Sequence, residues 1–166
     1  MTDILDQPLI PQHVFTRLSP VDDMTLRNWM RYRFVTAAKE IPRPPTKRSQ
    51  NPNPQRTYSL ANVLKLTAMA DLNEHLAMPP RSMSPITEGV IRLYRPVVLE
   101  KLRRLVEHPD AHCDRSIRVA AGVVRSDDSF RIDPPDEAAD DTVVMTFPLG
   151  VWLGRTAERY WAFKSD

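Results

Sequence analysis

Residues 21–35 read VDDMTLRNWMRYRFV, and the face on which each residue falls decides what the first third of the chain can be. At 3.6 residues per turn, Leu26, Trp29, Met30 and the aliphatic part of Arg33 share one face of a helix. Arg27, Asn28 and Arg31 share the other, with Thr25 at its upper edge. The first face anchors a small core. The second is a row of hydrogen-bond donors whose targets are rich in acceptors, DNA and water alike. Asp22 or Asp23 can accept from the orphan amides of the first turn, which signals the helix start. Upstream, residues 11–18 predict a short helix with Val14, Phe15 and Leu18 inward. A turn near Ser19-Pro20-Val21 then completes an outline of helix, turn and helix.

Downstream, Phe34-Val35-Thr36 predicts a brief strand. The following AAKEIPRPPTKRSQNPNPQR (residues 37–56) holds five prolines and neither a helical nor a strand period, so it reads as a stiff basic loop or hairpin tip. Periodicity returns at Ser59, a fair N-cap. Leu60, Val63, Leu64, Met69, Leu72 and Leu76 mark the apolar face of a helix that stops at Pro79-Pro80. A further helical segment is expected from Ser84-Pro85 to about Val106, carrying Val90, Leu93, Tyr94, Val97, Val98, Leu102 and Leu105, and kinked or split by Pro96. Beyond the break at EHPDAHCD (107–114), SIRVAAGVV, SFRID and DTVVMTF read as strands and DPPDEAADD as an acidic loop. PLGVWLGRTAERYWAF reads as a closing helix, with Leu149, Trp152, Leu153, Thr156 and Tyr160 on one stripe.

Charge separates the two ends of the chain. The 166 residues carry a formal charge of only +2. Yet from Met24 to Tyr58 there are eight Lys and Arg against Glu40 alone, while acidic residues outnumber basic ones from Asp110 onward. A basic block of that density points to a polyanion partner or to a solvated basic surface. Four Gly against sixteen Pro argue against Gly-rich phosphate loops. A single Cys113 excludes an internal disulfide and a cysteine-built zinc site. With no membrane-length apolar run and no basic-then-apolar leader, a cytoplasmic, non-membrane protein is expected.

Two stretches in order, VDDMTLRNWMRYRFV and RTYSLANVLKLTAMADL, resemble the DNA-binding domain of the MerR-type winged helix-turn-helix regulators of bacteria. Thr25, Leu26, Arg27 and Trp29 match the family's recognition-helix pattern. Arg56, Tyr58, Ser59, Asn62, Val63 and Leu66 match the opening of the helix after the wing. The resemblance covers about residues 12–80 and implies that Thr25 and Arg27 meet DNA from the recognition helix, with Arg56 and Tyr58 on the phosphate backbone. It departs from the family in a longer, proline-rich wing and in Pro96, which interrupts the segment where the family carries its long coiled-coil helix.

The expected architecture is therefore α+β: a winged helix-turn-helix domain (11–80), a helical connector (81–109) and a small α+β dimerisation or effector module with a terminal helix (110–166). The expected function is a sequence-specific DNA-binding transcriptional regulator. Asn28 and Arg31 join Arg27 in reading bases, and Lys39, Arg43, Lys47 and Arg48 suit phosphate contact or minor-groove insertion. Expected partners are double-stranded DNA, a second copy of the chain, and RNA polymerase or another protein, in a nucleoid-associated setting. A DNA-bending accessory factor, excisionase-like or nucleoid-associated, and a protein-interaction adaptor are the alternatives. An enzyme is not expected, nor is a cofactor or metal: His108, His112 and Cys113 lie with Asp110 and Asp114 in a Pro-broken loop that fixes no ligand geometry. The acidic run from Asp127 to Asp141 lacks a calcium-loop spacing.

Overall fold

The computed structural model describes residues 4–45, 52–126, 129–137 and 142–165. The fold is α+β. In chain order come β1 (Ile10–Pro11), α1 (Gln12–Arg17), α2 (Asp23–Arg31), β2 (Lys39–Ile41), β3 (Gln55–Tyr58), α3 (Leu60–Leu76), α4 (Pro80–Leu93), α5 (Arg95–Glu107), β4 (Val119–Ser126), β5 (Ser129–Asp133), β6 (Val143–Phe147) and α6 (Leu149–Lys164). The strands form two antiparallel sheets in the orders β1-β3-β2 and β5-β4-β6. Among the described residues, no helix is long and apolar enough to cross a membrane.

The first sheet forms differently from the expectation. Residues 34–36 are not a strand. Arg33 takes the left-handed conformation with φ 59° and ends α2. The amides of Phe34 and Val35 then both donate to the Trp29 carbonyl, at 2.9 and 3.3 Å, folding the chain back against the helix. That turn also carries Arg33 off the apolar face of α2 and leaves its side chain exposed. Pairing begins only at Lys39, where Glu40 stands opposite Arg56 and Ile41 opposite Gln55.

Helix α3 is the centre of the molecule. Ser59 and Asn62 close a reciprocal capping box at its start. Leu66, Thr67, Ala68 and Asp71 are buried as well as the expected Leu60, Val63, Leu64, Met69 and Leu72, because α4 and α6 cover it on different sides. Leu76, expected inward, is 51 % exposed in the last turn of the helix. Helix α4 starts at Pro80 rather than at Ser84. Pro79 holds the extended ψ of an N-cap and Pro80 takes the first helical position, where a missing amide costs nothing. Ser84 faces inward and donates to the Phe34 carbonyl at 3.0 Å. The expected break at Pro96 falls at Tyr94, which divides α4 from α5 and whose hydroxyl donates to the Ala120 carbonyl of β4.

The second sheet turns Val119, Ala121, Val123, Ile132 and Phe147 inward. Strand β5 lies so close to α4 that a Cβ on Gly89 would overlap Ile132. Helix α6 returns to the N-terminal half. Its Trp152 and Arg155 donate to the two oxygens of buried Asp71 in α3, each at 3.0 Å, and Arg159 donates to the Leu18 carbonyl that ends α1, at 3.1 Å. One apolar cluster runs unbroken from Leu5 to Ala157 and takes in all three segments of the chain.

Candidate nucleic-acid interface

Helix α2 is positioned by its cap and its core face. Asp22 Oδ1 accepts from the amides of Met24 and Thr25, both at 2.9 Å, and Oδ2 accepts from the Thr25 hydroxyl at 2.7 Å. The Thr25 hydroxyl is the leading cause, with its amide next, of an Asp22 carboxyl held below its ordinary range. A depressed folded pKa means that the cap contributes fully above the unfolded value and is lost as pH falls through the folded one. Thermal midpoints of the wild type and Asp22→Ala should therefore differ most near neutral pH and converge in acid. A gap that stays constant down the titration would contradict this role for the carboxylate.

Leu26 and Trp29 are buried, which fixes the rotation of α2. Arg27, Asn28 and Arg31 consequently point to solvent, as the helical period predicts. Arg27 lies 4.0 Å from Asp23 with 82 % of its side chain exposed, a pair too open to hold it strongly. The Arg31 guanidinium sits 5.9 Å from the centre of the Tyr32 ring. Thr25 differs from its expected role: it is half-buried and its hydroxyl is already given to the cap.

Across from α2 stands the β2–β3 hairpin. Lys39 and Arg43 are exposed on it. Arg56 is bonded through Nε to Glu40 Oε1 at 2.7 Å, directly across the strand pair. Lys47 and Arg48, near the expected tip, lie outside the described residues, as do Asp127, Asp128, Asp140 and Asp141 of the acidic run. Between helix and hairpin lies an open cleft of about 740 Å³, whose walls include Arg27, Arg31, Arg33 and Arg56 against Asp23 and Glu40. Arg33 was expected to pack on the core and instead adds a fourth guanidinium there.

Tyr58 is the clearest correction. It is 1 % exposed, its ring stacks on Phe15 with centroids 3.9 Å apart, and its hydroxyl faces Met30 Sδ at 3.9 Å. Burial is the main reason its pKa is raised. The inward phase of β3 thus makes Tyr58 a clamp between hairpin, α1 and α2, with no surface left for a phosphate.

Met24 was missed by sequence reading. It is 74 % exposed on the first turn of α2, three residues before Arg27, and that spacing was the available signal. Elsewhere, the Cys113 thiol donates to the Gly150 carbonyl at 3.4 Å, and burial pushes its pKa up, which disfavours the nucleophilic thiolate. Among the described residues, no group of three or more His, Cys, Asp or Glu could hold a metal ion. No protein-family model matches the chain, and no curated protein matches it.

Proposed function

We propose that this chain is a sequence-specific DNA-binding protein with a winged helix-turn-helix, a regulator of transcription that places α2 in the major groove and the β2–β3 hairpin along the phosphate backbone. The observation that carries the reading is the outward row of Arg27, Asn28 and Arg31 beside a cleft that Arg27, Arg31, Arg33 and Arg56 line. Arg offers a bidentate fork to guanine and Asn to adenine, so such a row can distinguish bases. Lys39 and Arg43 on the hairpin supply point charges that track phosphates without reading sequence. Residues 11–80 form the reading domain in this account, and a second copy, bound to a two-fold related site, doubles the recognised sequence.

Fluorescence anisotropy on duplexes selected from a random pool tests the reading. Affinity should fall steeply between low and physiological salt as phosphate counterions are released. Arg27→Ala and Asn28→Ala should each cost about 1–3 kcal/mol on the selected duplex and much less on random DNA. Lys39→Ala and Arg43→Ala should weaken both alike and each reduce the salt slope by about one. Binding that ignores salt would favour the protein-interaction adaptor. Equal losses on selected and random DNA would remove α2 from the reading role.

A further inference from the structure

The first turn of α2 is poorly suited to a phosphate. Helix N-termini attract anions through free amides, but here the Asp22 carboxylate already takes the amides of Met24 and Thr25, and Asp23 adds a second negative charge beside it. A backbone phosphate approaching that end would meet two carboxylates. The base edges on the groove floor carry no such charge, and they are what the N-terminal residues of a recognition helix ordinarily face.

The side chain offered at that point is Met24. Leu26 at 1 % and Trp29 at 4 % exposure lock the opposite face into the core, so Met24, Arg27, Asn28 and Arg31 line up at i, i+3, i+4 and i+7. Thr25, the other candidate on this turn, has spent its hydroxyl on Asp22. The stripe therefore runs from one flexible apolar side chain to three polar ones. In the major groove the apolar feature that distinguishes one base is the C5-methyl of thymine. An unbranched methionine conforms readily to such a group.

We infer that Met24 is a specificity-determining residue, reading a thymine methyl at the end of the site opposite Arg31. The inference rests on the DNA-binding reading above. Its test replaces each dT of the selected duplex in turn by dU, which deletes only the methyl group. One position should weaken wild-type binding about fourfold, the worth of one buried methyl. Met24→Ala should bind the dT and dU duplexes equally, whereas Met24→Leu should keep the preference. Because Met24 is exposed, both variants should retain the wild-type thermal midpoint. If no dU substitution matters to the wild type, or if Met24→Ala discriminates as well as the wild type, the role of Met24 is overturned while DNA binding stands. If the wild type selects no duplex at all, the DNA-binding reading falls and this inference with it.

Discussion

Trp152→Ala should lower the unfolding free energy by about 3–5 kcal/mol, the usual range for emptying a fully buried large aromatic site. Trp152 has no exposed surface, its ring lies 5.8 Å from that of Phe147, and its indole N–H donates to Asp71 at 3.0 Å. Two losses combine in the alanine variant: a cavity between α3 and α6, and a buried carboxylate oxygen without its donor. Trp152→Phe separates them. It restores most of the volume but still leaves Asp71 Oδ2 unsatisfied, so it should cost about 1–3 kcal/mol. Urea denaturation of the three proteins, read by far-ultraviolet circular dichroism, measures both differences. A Trp152→Ala variant within 1 kcal/mol of the wild type, roughly the effect of a surface change, would mean that α6 does not pack on α3 as described.

A chain ending at Pro109 should lose cooperative unfolding and, with it, the DNA binding proposed above. Such a chain keeps α1 to α5 but uncovers three buried surfaces. Helix α3 loses its α6 neighbour at Thr67 and Asp71, α5 loses the cover over Val98 and Leu102, and α4 loses β5 at Gly89. The expected readouts are a broad, non-cooperative thermal transition and enhanced binding of a hydrophobic dye. The opposite result is equally definite. A truncated chain that melts sharply and binds duplex DNA would show that the part before residue 110 folds and binds without β4 to β6 and α6.

What was legible in the sequence follows from how local each cause is. The start of α2 depends on Asp22 reaching amides two and three residues ahead, and its buried face on the 3.6 period of Leu26 and Trp29. Both can be read without tertiary information, and so can the cap at Ser59, the division near Pro96 and the strands β4 to β6. The outward row of Arg27, Asn28 and Arg31 was legible for the same reason. Helix α3 and one apolar face of it were legible as well, but the further burial of Leu66, Thr67 and Asp71 was not, because it depends on the distant α4 and α6 covering the helix. The turn at Phe34 hangs on a left-handed Arg33, which pattern does not disclose. Tyr58 looked like a surface contact by resemblance, and only the stacked Phe15 ring makes it core. Thr25 was placed on the correct edge of α2, but its hydroxyl was claimed by a cap partner three residues back.

The bond from Arg159 to the Leu18 carbonyl has a temporal consequence. The helix that closes the core around α3, and that tethers the end of α1, is synthesised well after α3 itself. At about 5–20 residues per second, several seconds pass between completion of α3 and arrival of α6. During that interval the nascent chain presents the apolar side of α3 uncovered, as a ready target for holding chaperones. The closed core is then acquired late, so a product that stops before α6 is a substrate for proteases rather than a folded half.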